Sequence, residues 1–255
     1  MPGITNLLLP VKFRTLLLLA PLSAALLSHT ASAQDSPERR KRYFNSQGRP
    51  YHRGPVYLTA GGGVGLYRGD LTSSPANNFI GPAFSGGVLY LLRPHLVLGA
   101  EGSYFVLGAK DDAAERSYAF RGTNGSVVTF LRYELLRDES EFATPRSGAT
   151  LVKPYVMIGG GILLYNPRAY VGTERPDDQT QFLGTERNDY SATGFVAPVG
   201  GGVVFRLTRK FNATVEGAYY LTTTDHLDDI SQRGNPSRND GYGLLQIKGE
   251  YSLGK

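Results

Sequence analysis

No cysteine and no tryptophan occur among the 255 residues, and only two methionines and four histidines do. Without cysteine the chain has no disulfide framework, no thiol nucleophile and no thiolate metal site. It also lacks the cysteine that a lipoprotein anchor requires just after a signal sequence. Charged residues are few, 19% against 41% hydrophobic, a balance that favours an ordered domain over a disordered chain. Beyond the N-terminus no window approaches the roughly 18 consecutive apolar residues that a membrane-spanning helix needs. Entry into a membrane would therefore be by strands.

What is abundant agrees with strands. Thirty-two glycines and sixteen tyrosines are unusual for a helical enzyme and suit many strands joined by tight turns. At the start, Lys12 and Arg14 precede the apolar run Leu16 to Leu27, and Ala31-Ser32-Ala33 follows it. This pattern predicts a secretory signal over 1–33, cut before Gln34. The net charge of +5 falls to +3 once Lys12 and Arg14 leave, too balanced for nucleic-acid binding to be expected. Residues 34–54 carry Arg39-Arg40-Lys41-Arg42 and no apolar periodicity, and are read as a basic, flexible periplasmic leader.

From residue 55 to 255 the chain reads as a single barrel domain. Eight segments of about ten residues mix β-branched, aromatic and glycine residues, near 55–67, 81–92, 95–107, 124–134, 151–165, 193–207, 211–222 and 240–253. Such lengths suit tilted transmembrane strands better than soluble ones. Tight turns at Arg93-Pro94 and Thr208-Arg209-Lys210 alternate with polar loops near 68–80, 108–123, 166–192 and 223–239. Short periplasmic turns and long external loops mark outer-membrane barrels. The charged turn 135–150 is longer than that pattern predicts. The fold expected is an all-β, eight-stranded, antiparallel up-and-down transmembrane barrel of the outer-membrane type.

Alternation assigns faces, because successive strand side chains point to opposite sides. Leu96, Leu98, Ala100, Gly102, Tyr104 and Val106 share one face of the third strand, opposite Glu101 and Ser103. Asn212, Thr214 and Glu216 oppose Phe211, Ala213, Val215, Tyr219 and Leu221, while Gln246, Lys248, Glu250 and Ser252 oppose Leu245, Ile247, Tyr251 and Leu253. A lipocalin-like barrel would invert such faces. Three features favour the membrane form: aromatics that end the apolar faces (Tyr90, Tyr104, Tyr133, Phe205, Phe211, Tyr219, Tyr251), charges of both signs on the polar faces, and frequent glycine. A lumen charge network of Glu101, Arg132, Lys153, Arg206, Glu216, Lys248 and Glu250 is expected. Pairing of Glu101, Glu216 and Glu250 with Arg132, Arg206 and Lys248 would close the pore.

An internal repeat supports the register. Gly86-Gly87-Val88 through Glu101-Gly102-Ser103-Tyr104-Phe105 matches Gly201-Gly202-Val203 through Glu216-Gly217-Ala218-Tyr219-Tyr220, which puts Glu101 and Glu216 at similar depth. Pro55 to Tyr67 likewise echoes Pro154 to Tyr165, so the barrel reads as two four-stranded halves.

Four segments then carry a resemblance: Tyr67-Arg68-Gly69-Asp70-Leu71, Lys153-Pro154-Tyr155-Val156, Tyr165-Asn166-Pro167-Arg168-Ala169, and Thr223-Thr224-Asp225-His226-Leu227-Asp228-Asp229-Ile230-Ser231. In this order the chain resembles the small outer-membrane barrels of Bacteroidetes typified by the barrel subunit of the type IX secretion system. The last segment, with Asp225, His226, Asp228 and Asp229, is the most specific. The resemblance implies a non-catalytic barrel in the outer membrane that helps anchor the periplasmic ring of the secretion and gliding apparatus, with a ring lipoprotein and outer-membrane lipids as partners. The basic leader and the turn 135–150 depart from the family pattern.

Other chemistry finds little support. Ala60-Gly61-Gly62-Gly63-Val64-Gly65 lacks the strand, turn and helix context of a phosphate loop. A lipid hydrolase or acyltransferase would need a serine or water activated by histidine, yet after processing only His52, His95 and His226 remain. The acidic loop around His226 could offer carboxylate oxygens to a divalent cation or contact a headgroup, but such loops more often cap themselves or are solvated. No cofactor, metal, nucleic acid or small-molecule substrate is expected. A stand-alone barrel with a barrier or adhesive role is the alternative, and a lipid-modifying enzyme the third reading.

Overall fold

The structure, a computed structural model, describes residues 43–44, 50–51, 55–69, 71–112, 117–136, 138, 149–184, 192–230 and 239–253. The expected signal over 1–33 and most of the leader lie outside them. Within the leader, Tyr43–Phe44 pairs antiparallel with Pro50–Tyr51.

Strict two-residue alternation with few interior breaks yields eight long strands. They are β1 Val56–Arg68, β2 Gly81–Arg93, β3 Leu96–Lys110, β4 Tyr118–Glu134, β5 Val152–Leu164, β6 Thr193–Arg206, β7 Phe211–Thr222 and β8 Gly241–Ser252. Each pairs antiparallel with its neighbours in the chain, and β8 pairs with β1 to close the barrel. No α-helix occurs among the described residues. The first described barrel residue, Pro55, and the last, Leu253, meet at the short-turn end, where the Leu253 N–H donates to the Val56 carbonyl.

The loops differ from expectation at one place. The predicted loop 108–123 is much shorter, because β3 runs on to Lys110 and β4 begins at Tyr118. The predicted loop 166–192 supplies the reason. Its short strand Pro167–Val171 pairs with Tyr118–Gly122, so the β3–β4 hairpin continues past the barrel as a three-stranded outcrop. Pro167 opens that strand, where a residue without an N–H fits the ladder.

The burial pattern fixes which face is outside. Leu98, Tyr104, Val127, Ile158, Phe195, Leu245 and Ile247 are exposed, whereas Glu101, Arg132, Glu216, Lys248 and Glu250 are buried. From Phe211 to Leu221 the outward face of β7 is apolar apart from its backbone. At about 3.3 Å per residue and a tilt of roughly 40° this covers about 25 Å of vertical height. A belt of exposed apolar side chains around a buried charged interior is the membrane form of the barrel, not the lipocalin-like inversion.

Glycine leaves room for the interior at two positions in particular. A Cβ on Gly61 would lie 2.5 Å from Cγ of Lys248, and one on Gly99 would overlap the Phe130 ring. Gly61 therefore clears the lumen opposite Lys248, its register partner.

Candidate functional site

The half of the lumen nearer the short turns holds a continuous ladder of charges. Lys248 Nζ donates to Oε1 and Oε2 of Glu101 at 2.8 and 2.7 Å and to Oε1 of Glu216 at 2.7 Å. The repeat-related glutamates on β3 and β7 thus share one cation from β8. Glu216 also accepts from the Tyr155 hydroxyl at 2.6 Å, and the Tyr155 ring lies 4.3 Å from the Arg132 guanidinium carbon. Arg132 then donates to Glu250 at 2.7 Å and to Glu134 at 2.8 Å. Glu134 meets Lys153 Nζ at 3.0 Å, and Asp138 lies 3.8 Å from Lys153 and 3.3 Å from Arg206.

Six of the seven residues named for this network, Glu101, Arg132, Lys153, Glu216, Lys248 and Glu250, are no more than 5% exposed. The seventh, Arg206, departs from its expected pairing with a luminal glutamate. Asn212 stands between Arg206 and Glu250 in the strand register, so Arg206 meets Asp138. That acid comes from the charged turn 135–150, whose Asp138 folds back to reach both Lys153 and Arg206. Sequence reasoning missed Glu134, Asp138 and Tyr155. Glu134 and Tyr155 share face parity with Arg132 and Lys153, a signal available in the sequence; Asp138, beyond the strand end, offered none. The gap bordered by Arg132, Glu134, Lys153 and Glu250 measures about 10 Å³, room for a single water.

The half of the lumen nearer the long loops is different, because aromatic side chains and not charges occupy it. Phe105 stacks on Tyr242 at 4.5 Å and Tyr242 on Tyr220 at 4.6 Å, while Tyr67 meets Phe120 edge-on at 4.7 Å. Leu71, Leu227 and Ile230 from the loops are at most 2% exposed above them. Aromatic and aliphatic packing therefore fills the mouth.

The loop of the family-like motif is folded rather than solvated. Asp228 and Asp229 are 0% and 1% exposed. Asp228 caps its own loop, its Oδ1 accepting from the Ile230 N–H at 3.0 Å, and the His226 N–H donates to Oγ1 of Thr224 at 3.2 Å. Asp225 and His226 lie in the same turn, and both make interactions. Asp70 and Ser231 lie outside the described residues, as does His52. His95, beside the β2–β3 turn, contacts the Glu134 carbonyl through Nδ1 at 2.8 Å and stacks on Tyr133. Among the described residues no group of three or more histidines or carboxylates is arranged to hold a metal ion.

One contact in this lid has chemical content. The Tyr67 hydroxyl is 2.8 Å from both Asp228 Oδ2 and Asp240 Oδ1. It carries a single proton to donate, so the second short contact calls for a proton on one carboxyl. Burial, then repulsion from Asp228, pushes Asp240 well above the usual carboxylate range, and Asp240 is the proton holder we assign. Its Oδ2 accepts from the Leu227 N–H at 3.0 Å, which ties the loop to the start of β8. At the neighbouring loop the opposite holds. Asp112 is exposed and lowered, first by the hydrogen bond from Thr72.

Comparison with known proteins adds similarities of fold. No protein-family model matches the chain, and no match in sequence was found among curated proteins. Among solved structures, Neisserial surface protein A is 15% identical, with 78% of this chain and 97% of that one covered at a TM-score of 0.44. Ail, the attachment invasion locus protein of Yersinia pestis, is 12% identical over 79% and 99% at 0.43. A major outer membrane protein from Thermus thermophilus is 10% identical over 78% and 99% at 0.42. The eight-stranded outer-membrane-type barrel rests on the strand pairing and the outward apolar belt described above.

Proposed function

We propose that this protein resides in the outer membrane as a closed, non-conducting and non-catalytic barrel whose role is structural or docking. The filled lumen carries this proposal. A charge ladder below and an aromatic plug above leave the two rims and the loops as the surfaces that can meet partners. We further propose that the docking serves the type IX secretion or gliding machinery, on the strength of the four motif segments. The described part of the most specific of them, 223–230, forms much of the lid that Tyr67 of the first segment latches.

In this role the periplasmic end, with the leader and the turn 135–150, meets a ring lipoprotein. The test is affinity capture of the tagged full-length protein from detergent-solubilised outer membranes, with residues 34–54 present or deleted. Recovery of a periplasmic ring lipoprotein is expected, and its loss on deletion would locate the contact. A folded barrel that brings down no such protein would shift the balance to a stand-alone barrier or adhesive role. Currents above background in planar bilayers would refute closure, and enzymatic turnover of outer-membrane lipid that is lost in His226→Ala would refute the non-catalytic assignment.

A further inference from the structure

Just beyond the apolar belt, two arginines face each other. Arg121 on β4 lies directly opposite Arg168 on the short strand Pro167–Val171, and both are exposed. Face parity puts them on the outward side, since Arg121 follows Val127 and Gly125 at two-residue steps. Like charges directly opposite in a strand pair destabilise it. Among the described residues no carboxylate forms an ion pair with either guanidinium.

The surroundings on β3 add no acid, and on the loop side the Glu174 carboxylate comes near, since both it and Arg121 act on Tyr170. Gly108, opposite Arg121 on β3, contributes no side chain, and Lys110 takes the diagonal position. The Arg168 guanidinium carbon lies 5.8 Å from the Phe182 ring centre, and the Leu183 N–H donates to the Ala169 carbonyl. The loop thus holds one guanidinium against an aromatic face. Glu174, exposed on the same loop, accepts from the Tyr170 hydroxyl through its backbone carbonyl, and its carboxylate forms no ion pair with Arg121 or Arg168.

Height identifies what faces the pair. The row Tyr104–Gly125–Leu164 closes the apolar belt. Arg121 is four residues farther along β4, about 13 Å along the strand and roughly 10 Å in height at a tilt of ~40°. That level belongs to headgroups, not to acyl chains. Guanidiniums borne by two directly opposed residues suit the oxygens of a phosphate monoester, each able to donate two parallel hydrogen bonds.

We propose that Arg121 and Arg168 clamp the phosphate of a phosphorylated glycolipid headgroup in the outer leaflet, with Lys110 as a supporting charge. The clamp rests on the membrane placement proposed above, and the test separates the two. Full-length protein is placed in phosphatidylcholine nanodiscs containing either diphosphoryl lipid A or its dephosphorylated form, and retained lipid is counted by native mass spectrometry. Wild type is expected to retain the phosphorylated form about tenfold more strongly, and R121Q/R168Q to lose that preference while keeping the heat-modifiable mobility of a folded barrel. Competition by millimolar inorganic phosphate alone would show a free-ion site and overturn the lipid assignment, as would equal retention of both forms. Preferential binding of a soluble sulfated polysaccharide with no lipid preference would overturn it too. Because the chain has no cysteine, a fluorophore on V127C reports a single site. Its quenching by lipids brominated in the acyl chain, combined with no phosphate preference, would sink the clamp and leave the membrane placement standing. No quenching would sink both.

Discussion

The two halves of the lumen solve one packing problem by opposite means. Below, Lys248, Arg132 and Lys153 are desolvated among carboxylates, and each has a carboxylate partner from another strand. Above, Phe105, Tyr220 and Tyr242 stack beneath loop aliphatics, and the Tyr67 hydroxyl meets Asp228 and Asp240 of the lid. The ladder gives specificity of partner and depth, since a cation that loses its place leaves an uncompensated buried charge. The plug gives closure with little positional demand, because apolar packing tolerates volume-conserving exchange.

The sharpest way to break this comparison is Lys248→Met. It leaves Glu101 and Glu216 facing each other without their shared cation, at an expected cost of about 3–5 kcal/mol, read as a fall in the urea midpoint of the barrel refolded in liposomes. Restoring neutrality with Glu101→Gln and Glu216→Gln in the same chain is expected to recover much of the loss. No recovery would mean that Lys248 acts through its packing.

A smaller effect is expected from Gly61→Ala, which drives a methyl group against the Lys248 stem and the β8 backbone. Overpacking of this kind costs about 1–3 kcal/mol, measured in the same unfolding assay. An unchanged midpoint would show that the ladder has slack on the β1 side.

The smallest effect concerns the long-loop half and its pH response. Asp240 is raised in the folded protein above the ordinary value of about 3.9. Its latch is therefore fully present below that ordinary value and is lost as pH rises through the raised one. The protection factor of the Leu227 amide, corrected for intrinsic exchange, is expected to fall across that window. In Asp240→Asn the fall is expected to disappear. A protection factor independent of pH in the wild type would place the latch proton elsewhere.

Much of the ladder was legible because charge is rare here and obeys the two-residue period. Glu101, Glu216, Lys248 and Glu250 each break an otherwise apolar or small-residue strand on one parity. The plug was harder to read because tyrosine belongs equally to a lipid-facing girdle and to a packed interior. Parity still held the answer, since Tyr220 shares the face of Glu216 and Tyr242 that of Lys248. Other features lay beyond any local pattern. The meeting of Arg206 with Asp138 depends on how a long turn folds back, and the outcrop of β3 and β4 depends on Pro167–Val171 arriving from a loop more than thirty positions away.

Lys248 has a further consequence for how the barrel is made. It sits on the last strand, and a sheet of the first seven strands contains Glu101 and Glu216 without the cation that joins them. Such a sheet is discouraged from curling shut early by the mutual repulsion of its own carboxylates. Arrival of β8 cancels that repulsion only when Lys248 stands opposite Gly61; a one-residue slip would turn its amine toward lipid. One side chain thus leaves two carboxylates unmatched until β8 is in place, and favours the alignment in which the final seam is joined.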